Sequence, residues 1–432
     1  PRTSPRKSCC PKVLLNYCTR QFVRGPSSSL YGASSGGVVN IFTEDGSGTP
    51  SVELGTMAGE YSFFRNHFKA GGDFKNLKYF VSSSHLNYGG YRRHSDVKQT
   101  NFSSKASYKF HDGSIGKASF RTVDSPYAED SGGMNEVERS EGKRNARQRN
   151  IDLDAGEEVS DKKLSFSWEK EANGHKLLLK NYYNWRQFDA KLPLTPFIGA
   201  GIVKLDRFFV GGGAQYTNLR SFRGLNQSFI VGLDVESMSD DRRRFNNLTG
   251  AQGPLRFEQE ENADTLGIFY QQEINVTERL RASGGLRYDR VKFDIEDKFL
   301  ENGDQSDTLK FNEITYSVGT SFEISKLTTL YANYSTGFET PTFTEFANPS
   351  NNGSLGGFAN VAAQRSNGFE IGIKGAFFED SFFELVYYNI DVEDEVTTVS
   401  NVGGRAFFNN ADTERKGVEI SFDVNLPSHL TL

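Results

Sequence analysis

Cysteine is nearly missing from this sequence. Only Cys9, Cys10 and Cys18 occur in 432 residues, all close to the N-terminal end. No disulfide framework or cysteine-rich metal site can organise the rest of the chain, and no fourth ligand follows the three at a spacing that zinc uses. They read as incidental to a chain end or reading frame, and no resident metal or cofactor is expected. Long apolar runs are lacking too. The best candidate, Pro196 to Leu205, is broken by Gly199, Gly201 and Lys204, whereas a membrane-spanning helix needs ~18 or more uncharged apolar residues. A surplus of positive charge is also absent. Lys and Arg number 50 against 55 Asp and Glu, a net charge of -5. The basic residues are scattered, so no face suits phosphate neutralisation and no nucleic-acid partner is expected. The histidines, His67, His85, His94, His111, His175 and His429, stand apart from one another. With no HExxH, no GxSxG and no phosphate-binding loop, the chain carries no catalytic constellation and is not read as an enzyme.

Glycine and aromatics are plentiful: 43 Gly, 36 Phe and 18 Tyr. This composition favours strands and turns over helices. From Ser51 onward apolar residues recur at every second position, the period of strands with two different faces. In Lys163 to Lys170, Leu164, Phe166 and Trp168 oppose Ser165, Ser167 and Glu169. In Arg279 to Arg290, Leu280, Ala282, Leu286 and Tyr288 oppose Arg281, Ser283, Arg287 and Asp289. The same alternation runs through Glu313 to Lys326 and Gly417 to Leu426.

Short polar turns near residues 73, 111, 171, 219, 275, 323, 378 and 426 alternate with longer segments around 89–98, 124–147, 189–202, 239–262, 294–309, 339–364 and 395–405. Two strands fit each interval, giving about sixteen in one antiparallel meander, with another starting at Leu430. Short connections at one end and long ones at the other suit an all-β transmembrane up-and-down barrel, whose strands carry aromatic girdles. Tyr182, Tyr183, Trp185, Phe377, Phe378, Phe382, Phe383, Tyr387 and Tyr388 fit such belts. A soluble aromatic sandwich is the alternative.

Residues 24 to 42 read RGPSSSLYGASSGGVVNIF. Arg24, Gly25 and Pro26 make a sharp turn and Leu30, Tyr31 and Gly32 another; Gly36 and Gly37 allow close backbone approach, and Val38 to Phe42, with Asn40, is a short buried strand. This string resembles the closing stretch of the plug domain of TonB-dependent outer-membrane receptors. Residues 331 to 346 (YANYSTGFETPTFTEF), 365 to 375 (RSNGFEIGIKG) and 409 to 432 are similar to barrel signatures of the same family. The resemblance implies a barrel of about 22 strands filled by an N-terminal plug. Such receptors import scarce ligands with energy relayed by the partner protein TonB. Residues 1 to 21 depart from the family pattern, and most of the plug and the TonB-contacting box are not in this sequence. The chain therefore reads as a non-native or disordered leader (1–21), a plug remnant (22–45) and an incomplete barrel (46–432), with roughly six strands missing.

If Phe369, Ile371, Val418 and Ile420 face lipid, Glu370 and Glu419 face the lumen. The resemblance implies that a plug arginine pairs with wall glutamates, which makes Arg24, Glu370 and Glu419 a candidate latch; solvated lumen charges are the plainer reading. Arg242 to Arg244, or Lys143, Arg144, Arg147 and Arg149, could attract an anionic chelate or lipopolysaccharide, although such runs are more often solvated loops. The acidic stretch Asp294 to Asp307 lacks the spacing of a calcium loop. The family implies a small-molecule ligand, most often Fe3+ as a siderophore complex, and a monomer set in outer-membrane lipid and lipopolysaccharide of a Gram-negative-type cell. Ligand-contacting residues are not assignable at this stage. A plugless passive porin or adhesin-like barrel, or a soluble all-β carbohydrate-binding protein, remain the rival readings.

Overall fold

The period-two alternation becomes sheet almost everywhere. The computed structural model describes residues 17–24, 29, 32–34, 36–46, 48–196, 199–222, 224–347, 362–377, 381–402 and 405–424. Its first strands are β1 (Tyr17–Arg24), β2 (Gly37–Thr43), β3 (Ser51–Gly59), β4 (Phe63–Phe74), β5 (Leu77–Tyr88), β6 (Val97–Lys109), β7 (Ile115–Glu129), β8 (Gly156–Ala172) and β9 (His175–Lys191). There follow β10 (Ile202–Phe222), β11 (Leu225–Leu248), β12 (Ala251–Asn275), β13 (Leu280–Asp297), β14 (Asp307–Ser325), β15 (Thr328–Glu339), β16 (Gln364–Gly375), β17 (Ser381–Val402) and β18 (Arg405–Val424). Strands β3 to β18 form one 16-stranded sheet in sequence order, each antiparallel to the next. Among the described residues β3 and β18 do not pair, so the wall has two edges. Leu430 and the segment 348–361 lie outside the described residues.

The distribution of polarity is inverted relative to a soluble protein. Leu286, Tyr288, Ile314, Val318, Ile371, Val418 and Ile420 are exposed, whereas Gln259, Glu261, Asp240 and Asp289 are among the largest fully buried side chains. A water-soluble fold places these classes the other way round, so the outward apolar face is the lipid face and the polar face is the lumen. Tyr183, Trp185 and Tyr387 join the outward girdle. Tyr182 and Tyr388, expected in that girdle, turn inward instead. Their rings cover the glycines Gly211 and Gly417 on the adjacent strands, positions where any Cβ would collide with them. Tyr331 over Gly372 and Phe269 over Gly232 repeat the device, which lets a large inward ring lie flat against the wall. Phe378 lies outside the described residues.

Two segments expected as long loops are strand instead. Residues 239–262 belong to the β11–β12 hairpin, whose strands of 24 and 25 residues meet at Thr249 and Gly250, both with positive φ (51° and 88°). Residues 395–402 likewise continue β17. Polarity had suggested loops, but a ladder with polar side chains on both faces forms by backbone pairing and a tight turn alone. On the outer face of β11 the apolar band ends at Val235 and gives way to Ser237, Ser239, Asp241 and Arg243. Everything beyond stands above the membrane.

The other exterior connections interlock. Helix α1 (Glu136–Glu141) begins in a capping box in which Asn135 accepts from the Glu138 amide and Glu138 from the Asn135 amide. After α2 (Gln148–Asp152), the Leu153 carbonyl accepts from Asn247 Nδ2 at 2.8 Å. Arg92 binds three backbone carbonyls of the same segment, those of Ser131, Gly132 and Asn145, at 3.1, 2.7 and 2.9 Å. These contacts replace an apolar core with satisfied hydrogen bonds. Helix α3 (Phe343–Ala347), between β15 and β16, turns into the lumen.

Candidate functional site

Strands β1 and β2 form an antiparallel hairpin from Tyr17↔Thr43 to Arg24↔Gly37. Tyr17 to Gln21, expected within the leader, pair with the strand after Gly37, with an irregularity between Tyr17 and Thr19, and that strand, expected to be buried, leaves Val39, Ile41 and Phe42 exposed. Asn40 Nδ2 donates to Gln21 Oε1 at 3.3 Å across the pair. Gly37 (φ 129°) and Gly32 (φ 77°) adopt backbone open to glycine, and the Ser34 hydroxyl donates to the Gly37 carbonyl at 3.0 Å. Gly25, Pro26, Leu30 and Tyr31 lie outside the described residues. So do Cys9, Cys10 and the Cys18 side chain.

The hairpin meets the lumen face of the wall without joining its sheet. Ser29 Oγ donates to Ser317 Oγ on β14 at 3.0 Å. Gly32 is buried against Arg287 of β13. Leaving the hairpin, Glu44 pairs with Lys69 at 3.2 Å and Asp45 with Lys105 at 2.6 Å. Lys105 also donates to the Thr43 carbonyl at 3.3 Å. Gly46 (φ 52°) lets the backbone pass against Tyr79 and Phe80.

Arg287 is the centre of a buried charge cluster. Its Nε donates to both carboxylate oxygens of Asp289, at 2.9 and 2.8 Å, and its Nη1 to Asp234 at 3.3 Å. The guanidinium lies over the Phe269 ring, 5.4 Å from its centroid, in the space left by Gly267. Asp234 also holds Lys180 at 3.1 Å. Tyr182 donates to Glu236 one position further along the same lumen face, and Lys163 stands 5.1 Å over its ring.

Above the apolar band the lumen is lined by arginine. Cross-strand pairing puts Arg186, Arg207, Asp240 and Glu261 in one row, and Arg242 and Gln259 in the next. Alternation splits the basic run: Arg242 and Arg244 face the lumen and Arg243 faces outward, beside Asp206 at 3.4 Å. Arg207 grips Asp240 through two charge-assisted bonds of 2.6 and 2.5 Å. Arg242 reaches Glu261 at 3.1 Å and Thr344 of α3 at 3.4 Å. Burial pushes the Glu261 carboxyl up to about 7, and Arg242 pulls against that rise. Arg186 has no carboxylate at ion-pair distance among the described residues. Beside this row Phe343 and Phe346 of α3 pack on Phe293, with ring centroids 5.2 and 5.5 Å away, in a cluster with Val291, Ile295 and Phe338.

Against this geometry, residues 45–432 match the family model described as TonB dependent receptor-like, beta-barrel. The chain belongs to the TonB-dependent receptor family. Among solved structures it is similar to the ferric citrate transporter FecA in the unliganded form, with a TM-score of 0.79 at 15% identity, covering 96% of this chain and 62% of that one. The ferric yersiniabactin uptake receptor FyuA from Yersinia pestis gives 0.73 at 14%, covering 95% and 64%. In sequence it is 24% identical over 264 residues to the Rhizobactin receptor of Rhizobium meliloti (strain 1021), which covers 50% of this chain and 34% of that protein. The chain thus spans less than two thirds of the length of each of these relatives. These TonB-dependent relatives are receptors and transporters by name, not enzymes.

Glu370 faces the lumen level with Asn333, and the Tyr331 hydroxyl stands between it and Glu384, donating to Glu384 at 3.3 Å. Glu419 is on the same face of β18, opposite Val386. Arg24 ends β1, but its side chain lies outside the described residues. Arg287, Asp289, Asp234 and α3 were not singled out from the sequence. A signal for the first two existed: arginine and aspartate two apart share one face of a strand whose other face is Leu286 and Tyr288. Lys143, Arg144, Arg147 and Arg149 lie in the loop around α1 and α2, where Arg144 stacks 4.9 Å from the Tyr61 ring centroid. Asp297 is tied into its own loop by accepting from the amides of Phe299 and Gln305, both at 3.0 Å. Among the described residues no group of His, Cys, Asp and Glu could hold a metal ion.

Proposed function

We propose that this chain is the wall and plug end of an outer-membrane import receptor that takes up a ferric siderophore with energy relayed by TonB. The observation that carries the reading is the hairpin seated inside the wall beneath an arginine-lined mouth. A passive porin has no use for a hairpin docked against its lumen by Ser29, Gly32, Glu44 and Asp45. The mouth suits an anionic cargo. Among the described residues Arg186 has no carboxylate at ion-pair distance, and Arg186, Arg207, Arg242 and Arg244 outnumber the neighbouring Asp161, Asp240 and Glu261 on the same face, so a chelate carrying negative charge gains field strength where water is thin. Residues 22–45 are read as the end of the plug, and Arg24 with Glu370 and Glu419 as its latch.

The test is accumulation of radiolabelled iron by cells carrying the full-length receptor, with and without TonB, over a panel of ferric siderophores. Uptake of one anionic chelate that disappears without TonB supports the reading, whereas TonB-independent entry of small solutes would replace it with a porin. Replacing Arg186 and Arg242 by Gln should weaken binding of that chelate at least tenfold. For the latch, the double change Glu370→Gln and Glu419→Gln should raise entry of a large antibiotic while barrel assembly is unchanged; unchanged entry removes the latch.

A further inference from the structure

We propose that Arg287 is the wall residue that clasps the closing turn of the plug, so that the β13–β14 region is the seam that holds the barrel shut. The proposal rests on reading β1–β2 as the plug end. Three features of the site carry it. First, Arg287 is 4% exposed and Asp289 1%, and Gly32 of the plug turn packs against the Arg287 guanidinium. Second, the guanidinium is held in one orientation before the turn arrives. Asp289 takes both its bonds on Nε, Asp234 takes Nη1, and Phe269 supports the plane. This leaves Nη2 as the edge that meets the turn, 3.2 Å from where a Cβ on Gly32 would stand. Third, glycine flanks the guanidinium on both sides. Gly267 belongs to the wall and Gly32 to the turn; a Cβ on Gly267 would collide with the guanidinium, and one on Gly32 would press against it at 3.2 Å. Gly32 is fixed twice over, since its φ of 77° is one that other residues rarely adopt.

The polarity of this clasp is opposite to that of the candidate latch. Here the cation belongs to the wall and the plug contributes close-packed backbone. Lysine cannot replace Arg287, because a single ammonium cannot hold Asp289 and Asp234 and still present a flat edge to Gly32. Beside it the Ser29 and Ser317 hydroxyls, 3.0 Å apart, mark the seam.

The experiment places Ser29→Cys and Ser317→Cys in the full-length receptor and measures the rate at which the two cross-link under mild oxidation in whole cells. The expectation is rapid cross-linking in this background and at least a tenfold slower rate when Gly32→Val or Arg287→Lys is added. Resistance of the barrel to SDS without heating should be retained in all three proteins. Gly32→Val leaves the wall untouched, so it stays informative if the Arg287→Lys protein does not assemble. Rates unchanged by either substitution would overturn the clasp. Failure of Ser29→Cys and Ser317→Cys to cross-link at all would instead refute the seating of the hairpin. Siderophore uptake measured in parallel separates both outcomes from the transport reading.

Discussion

Replacing Phe346 by alanine should release α3 from the lumen wall. Phe346 is fully buried, and its ring meets Phe293 at 5.5 Å and Phe311 at 6.5 Å between centroids. Truncating a buried phenylalanine costs about 3–5 kcal/mol, and the aromatic pairs contribute roughly 0.5–1.5 kcal/mol of their own beyond area. The helix is a single turn of five residues, too short to persist unsupported. The helix is also held by the Phe343 ring on Phe293, 5.2 Å between centroids, and by the 3.4 Å bond from Arg242 to Thr344, the bond being of a kind that contributes roughly 1–2 kcal/mol. The loss is therefore a large share of what holds the helix in place. Hydrogen exchange of the peptide spanning 338–347 reads it directly, because the Glu345 and Phe346 amides donate to the Thr342 carbonyl at 3.0 Å. Their exchange should quicken by about a hundredfold or more, at about 1.4 kcal/mol per decade, while amides of β13 keep their protection. Unchanged exchange would refute the packing argument. Phe343→Leu should give a smaller effect of the same sign.

Glu261 provides a pH test. Its carboxyl is raised from 4.5 to about 7, so the folded mouth keeps a proton that the unfolded chain gives up. Stability then falls as pH rises from 4.5 to about 7 and levels off above; Glu261→Gln should flatten that slope in thermal melts of detergent-solubilised protein. Asn247→Ala should cost roughly 1–3 kcal/mol by stranding the Leu153 carbonyl, while that of Leu192 keeps the Leu194 amide, and limited proteolysis should cut first within residues 130–155. Gly372→Val puts a Cβ 2.6 Å from the Tyr331 ring. It should cost about 1–3 kcal/mol, seen as a smaller fraction of SDS-resistant barrel.

The strand order was legible because side-chain alternation and turn chemistry are local signals, and the wall is a meander in which every neighbour in space is a neighbour in sequence. Val418 and Ile420 already assigned the faces of β18. The same logic failed for residues 239–262, since polar side chains on both faces of a strand look like a loop. It failed again at Tyr182, whose inward position depends on Gly211 in the next strand, a pairing that composition does not reveal. Arg287 was placed on the correct strand face, but its partner Gly32 is distant in sequence, and only the docking of the hairpin against the wall brings them together. The lumen-directed helix α3 carried no periodic signal in five residues.

The β11–β12 hairpin has a mechanical consequence. Strands of 24 and 25 residues make about 80 Å of ladder, irregular only between Arg244 and Asn247. Tilted by ~40°, that is roughly 60 Å of height against an apolar band of about 25 Å. Most of the excess rises outside the membrane, and Asn247 near its tip is bolted to the segments around Leu153 and Leu192. This part of the exterior is a stiff chimney. A large body landing there finds a shape fixed in advance, and its attachment is not weakened by the entropy of ordering a loose surface.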